Sequence, residues 1–259
     1  MKLIKSCKIW SLVLALTIVF TIGVVAFADE PEVDVYLTVE RTLLGGQAPI
    51  LAPTKVTVPA GSDVLDVLQA AKTQNLLDFT YRVTELGEYV TGFKVTSHGA
   101  FDPFTDYAYY DEFDAAAGGM GDIYLEYGTT PQNLFLTEGN YCMLGGWIVS
   151  LNDVIEWDDD STEDVNEAMP TMATIVEDND VLQFQYSLAL ARDAGFEGWS
   201  LLTLRDLAFP FYERADKREL VRAMADNGVS DPAYAGAMSV LMDMEATPAE
   251  VTAAVNAFN

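Results

Sequence analysis

Short stretches of strict two-residue alternation, with one amphipathic run between them, constrain this chain more than any other feature. In EVDVYLTVE, Val33, Val35, Leu37 and Val39 alternate with Asp34, Tyr36, Thr38 and Glu40. A strand turns successive side chains to opposite faces, so this is a strand with one apolar face. Leu182, Phe184 and Tyr186 repeat the pattern against Val181, Gln183 and Gln185. In GGWIVSLNDV, Trp147, Val149 and Leu151 alternate with Ile148 and Ser150, behind two glycines that let another backbone or a ligand come close. Lys55 to Val58 reads as a short strand after a Gly45-Gly46 turn, and EYVTGFKVTS as another, anchored by Val90, Phe93 and Val95. The run VPAGSDVLDVLQAAKTQN is different. Val64, Leu65, Val67, Leu68 and Ala71 fall on one side at helical spacing, with Ser62 or Asp63 as the cap. One-faced strands and a single amphipathic helix predict an α+β fold with the helix on the sheet.

The first residues carry Lys2, Lys5 and Lys8, then an apolar run from about Ile9 to Phe27, then Ala26-Phe27-Ala28 before Asp29. A basic start, an apolar middle and a small-x-small end form a secretory signal peptide, 1–28, cleaved after Ala28. The expected location is therefore extracellular, free or at the cell surface, with no membrane span after the signal is removed. Cys7 leaves with the signal, so Cys142 has no partner for an internal disulfide, and its apolar neighbours suit an inert buried thiol. The formal charge of −26 becomes −29 once the three leader lysines are gone. Such a field excludes nucleic acid and anionic lipid as partners and favours cations and basic groups.

The rhythm breaks over 97–140, which is rich in aromatics, acids and glycine. Long irregular segments inside compact domains are usually functional, and this many aromatics argue for order. An ordered insertion is expected, with its tyrosines more exposed than its phenylalanines. It adjoins the glycines of the Trp147 strand, so Tyr107, Tyr109, Tyr110, Tyr124, Tyr127, Gly145, Gly146 and Trp147 make the expected binding face. The α+β domain then spans 29–199. From about Ser200 to 259 the signal is helical: a helix ending at Gly228, one opened by Pro232, and one whose Thr247 and Glu250 are spaced as a capping box.

Catalytic chemistry finds little support. His98 is the lone histidine and nothing around it resembles a nucleophile elbow, so no enzyme activity is expected. One histidine and one distant cysteine make no zinc pattern. Calcium is the metal to consider, at Asp158, Asp160, Glu163 and Asp164 in DDDSTED or at the acids between Asp102 and Asp114, although neither run follows the EF-hand spacing.

Three short motifs carry a resemblance. Pro59, Gly61, Val64 and Leu68 form a strand-to-helix turn, Gly146, Trp147 and Asn152 a Gly-Trp strand with its terminal turn, and Asp178, Asp180, Val181 and Tyr186 the entry to a last strand. In this order they resemble the transcobalamin-like C-terminal domain family, over about 32–96 and 141–195. Asp153 and Asn179 stand where that family has glycine. The resemblance implies a β-grasp-like antiparallel sheet with one packed helix, serving a secreted, non-catalytic module that binds a small-molecule ligand, glycan or cell-surface protein. It also raises a corrinoid (cobalamin) as ligand. The helical barrel that supplies most corrinoid contact in vertebrate carriers has no counterpart here, so capture would need a partner component. A structural or adhesion role in the cell envelope is the third reading.

Overall fold

A computed structural model describes residues 31–84, 87–155, 171–204 and 206–259. The leader and the acids from Asp158 to Asp164 lie outside the described residues. The fold is α+β. Strands β1 (Glu32–Arg41) and β2 (Gln47–Pro59) form an antiparallel hairpin, and α1 (Val64–Thr73) follows. Next come β3 (Phe79–Thr84) and β4 (Gly87–Lys94), the short helices α2 (Tyr110–Ala116) and α3 (Gly121–Glu126), and β5 (Phe135–Thr137). The chain returns to the first sheet with β6 (Gly146–Leu151) and β7 (Val181–Ser187), makes the small hairpin β8 (Gly198–Trp199) and β9 (Leu207–Ala208), and ends in α4 (Arg218–Asn227), α5 (Tyr234–Met242) and α6 (Pro248–Asn256).

The main sheet has the order β2-β1-β7-β6. It is mixed, not antiparallel throughout: β7 enters beside β1 and runs parallel to it, Tyr36 opposite Val181 and Glu40 opposite Gln185. A hairpin, one crossing helix and a late strand parallel to the first keep the β-grasp-like plan. The second sheet, β3-β4-β5, is antiparallel. Its first strand has no counterpart in the sequence reading, since five of its six residues are exposed and show no alternation to detect. The insertion is likewise more regular than predicted, because β5 pairs with β4 and the two helices occupy its middle.

Asp63 caps α1 by accepting from Asp66 N, and Asp66 accepts from Asp63 N in return. That capping box points Val64, Val67, Leu68 and Ala71 at the sheet, all with no exposure. They meet Val35, Leu37, Val39, Val56 and Phe184 in the main core. Trp147 sits in the same core, edge-on to Phe93 and Tyr186 at 4.7 and 5.1 Å between ring centres, and donates to Leu136 O. Gly145 explains half of the glycine pair beside it. A Cβ there would lie 2.8 Å from both the Tyr186 hydroxyl and Asn140 O, so only glycine fits.

The opposite sheet face, Tyr36 and Val181, packs on Leu220, Val221 and Met224 of α4. Here the helices begin only at Arg218; residues near Ser200 form the β8–β9 hairpin instead. The Asn152-Asp153 turn is a two-residue hairpin with both residues at positive φ, 54° and 63°, and Leu151 and Val154 exchanging backbone hydrogen bonds. Asp153 accepts this conformation while its carboxylate pairs with Arg214 Nη2 at 2.7 Å, both side chains nearly enclosed. The partner lies 61 residues away, beyond the reach of local sequence reading.

Candidate functional site

Among the described residues, the insertion contributes to two solvent-facing regions. The first is the outer side of the insertion. It is pinned from beneath by Asp193, a fully buried carboxylate that accepts from the Tyr107 hydroxyl at 2.9 Å, the Ser187 hydroxyl and Leu188 N. Burial raises the Asp193 carboxyl above the ordinary carboxylate range, against the lowering effect of those donors. Tyr124 donates to Leu201 O at 2.9 Å, which ties α3 to the β8–β9 hairpin, and Leu202 lies against Gly118. On these adjoining elements large apolar side chains face outward: Ile123 from α3, Tyr127 just after it, Leu202, Leu204 and Leu207 from the hairpin, and Phe209 beyond that. Tyr127 is 70% exposed and Phe209 80%. Soluble surfaces carry single apolar residues everywhere; here several stand on two segments tied by one hydrogen bond.

The second region lies where the β1–β2 turn, the insertion and the loop after α5 meet. A cleft of about 400 Å³ opens between Gly45-Gly46, the residues Asp106, Ala108 and Tyr109, and Met242 to Glu245. Tyr109 stacks on Tyr212 at 5.2 Å with the rings 8° from parallel, and its hydroxyl donates to Glu245. Sharing Thr42, Leu43 and Met244 with the cleft is a small recess of about 10 Å³, room for about one water molecule. Glu40, Arg214 and Lys217 line it. Glu40 is held by the amides of Gln183 and Gln185, and Lys217 Nζ donates to the carbonyls of Leu241 and Asp243. Burial lowers the Lys217 ammonium to about 8, opposed by the nearby Glu40 charge.

The predicted binding face does not stay together. Tyr107 and Trp147 are buried structural groups, Gly145 is packed against Tyr186, and Gly146 lies in the half-buried start of β6. Tyr110 bonds Asp122, Tyr124 bonds Leu201 O, and Tyr109 lines the cleft. Tyr127 alone of the five tyrosines is broadly exposed. The phenylalanines split too: Phe113 has no exposure and Phe104 is 47% exposed, so residue type did not decide burial. The β8–β9 hairpin was missed as surface. Its signal was available in the spacing of Leu202, Leu204, Leu207 and Phe209 through a segment without helical period.

Among the described residues, no three His, Cys, Asp or Glu side chains gather closely enough to hold a metal ion. The acids between Asp102 and Asp114 instead cap turns: Asp102 accepts from Phe104 N, Asp106 from Asp102 N, and Asp114 from Gly121 N. His98 is half-buried and bonds Asn133 O. The Cys142 thiol is buried and pushed up to about 12 by desolvation, so it is no nucleophile at neutral pH. No helix among the described residues is long and apolar enough to cross a membrane.

No family model matches the chain. No curated protein matches it. Among solved structures, haptocorrin in complex with Cbi is similar at 16% identity and a TM-score of 0.33, over 63% of this chain and 27% of that one. The chain thus spans about a quarter of that protein's length.

Proposed function

We propose that this chain is a non-catalytic, secreted or surface-associated binding module whose contact surface is the outer side of the insertion together with the β8–β9 hairpin. The observation that carries the reading is the exposure of Ile123, Tyr127, Leu202, Leu204, Leu207 and Phe209 on two segments joined by the Tyr124–Leu201 hydrogen bond. Tyr127 and Phe209 in particular, 70% and 80% exposed, bury little in the fold, so their value lies in what they cover or meet. Secretion rests on the leader pattern of 1–28. The non-catalytic reading rests on the solitary His98 and the inert Cys142 thiol, which leave no histidine-activated nucleophile and no reactive thiol.

The ligand classes that suit such a surface present a flat or apolar face: a corrinoid, a glycan with an apolar sugar face, or a surface protein. The corrinoid arm rests on the three family-like motifs. The test is a panel of cobalamin, cobinamide and glycans against residues 29–259, read by visible absorbance and co-elution. Saturable capture that is lost in Tyr127→Ser/Phe209→Ser supports the reading. Capture that survives this change moves the contact surface elsewhere.

A further inference from the structure

We propose that a cleft where the end of α1, the end of β4 and Leu134 meet binds a small molecule carrying one carboxylate on an alkyl or aryl body. None of its lining residues belongs to the outer apolar surface, so it does not depend on that reading. In a chain with 14 Lys and Arg against 40 Asp and Glu, this lining reverses the prevailing sign: Lys72 and Lys94 face a single carboxylate, Asp78. Lys72 Nζ pairs with Asp78 at 2.8 Å and stands over the Phe79 ring, 5.5 Å from its centre. Lys94 Nζ lies 3.9 Å from the same carboxylate, too far for a hydrogen bond, so its N–H groups remain open to a second anion. Asp78 thus keeps two ammonium groups near one point, and their one excess charge matches one further carboxylate.

The rest of the lining says what the carboxylate must be attached to. Ile50, Leu76, Leu77, Val95 and Leu134 give the cleft an apolar wall, and folding leaves Leu134 50% exposed. An ammonium pair beside that wall selects a ligand with both an anionic head and an apolar body, since either part alone meets only half of the surface. The volume of about 610 Å³ falls in the range of small-ligand sites. The cleft is also pre-formed. Lys94 N donates to Asp78 O at 2.8 Å and Val95 N to Leu134 O at 2.7 Å, which ties both flanks to the end of β4 and leaves little backbone to order on binding.

The experiment is an NMR titration of residues 29–259 with octanoate at ~0.15 M salt, where diffuse charge effects are largely screened. Saturable amide shifts are expected at Leu77, Asp78 and Lys94 to Thr96. Butanoate, with a shorter alkyl chain, should bind about tenfold more weakly or less, and octylammonium should shift none of these amides. Lys72→Gln/Lys94→Gln should weaken octanoate about tenfold. Lys72→Arg/Lys94→Arg keeps both charges and should keep the affinity within a few-fold, which separates a lost contact from a damaged fold. Lys55→Gln, which removes an ammonium group outside the cleft, should change nothing. The proposal is overturned by any of four results: shifts that do not saturate or that centre elsewhere, octylammonium binding as well as octanoate, full affinity in Lys72→Gln/Lys94→Gln, or equal weakening in Lys55→Gln.

Discussion

The two faces of the main sheet are built from the same strands and differ in almost everything else. One face presents Val35, Leu37, Val39, Phe184 and Tyr186 to α1 and the Trp147 cluster. The other presents Tyr36, Thr38, Glu40, Gln183 and Gln185, and is covered by Arg214, Lys217 and α4. Thr38, Glu40 and Gln183 are no more than 3% exposed, so this polar face is as buried as the apolar one. Non-specific apolar burial holds the first face, and specific pairing holds the second. Large apolar side chains tolerate repacking, while a buried charge that loses its partner does not.

The comparison can be broken most severely on the apolar face. Phe184→Ala should lower unfolding free energy by about 4 kcal/mol in denaturant titrations, since the ring is 1% exposed and its neighbours cannot collapse into the space. On the polar face, Arg214→Met should cost about 3 kcal/mol, because it leaves Asp153 buried and unpaired and removes donors to Gln183, Gln185 and Ala194 O. A loss under about 0.5 kcal/mol would mean that solvent reaches this pair after all.

A pH titration sharpens the same contrast. The folded Lys217 value of about 8 lies below its ordinary 10.5, so between those limits the unfolded chain holds a proton that the folded one has released. Stability should therefore rise with pH from about 8 towards 10, by up to ~3 kcal/mol, and Lys217→Met should flatten the rise. Above pH 10 the sign reverses. Burial raises Tyr107, Tyr109, Tyr186 and Tyr212, so the stability present below their ordinary value is lost as they are forced to ionise. A flat profile from 8 to 10 in the unaltered protein would show that Lys217 is not enclosed.

These faces also mark what could be read from the sequence. The apolar face was legible because period-two alternation records it directly, down to the pairing of Leu182, Phe184 and Tyr186 on one side. The polar face was not, because Thr38, Glu40, Gln183 and Gln185 have the chemistry of a solvated surface, and the groups that bury them come from residues 214–224. Caps were legible where the motif is local, as at Asp63, Gly228 and Thr247. The site was less so. Aromatic composition located the insertion, but that Tyr107 serves the fold is decided by Asp193, 86 residues further on. The cleft joins three segments far apart in the chain, and its one early hint was Tyr109.

The smallest expected effect on stability is also the most informative for function. Tyr127→Ser/Leu207→Ser/Phe209→Ser removes three exposed apolar side chains from the proposed contact surface, and the same preparation can be followed for thermal midpoint and for capture of the cobalamin and glycan panel. The expected result is a midpoint shifted by no more than a stability change of ~0.5 kcal/mol, typical of surface substitutions, would give, together with loss of whatever the unaltered protein captures. A midpoint that collapses while capture persists would contradict it, since those side chains would then belong to the fold and not to a binding surface.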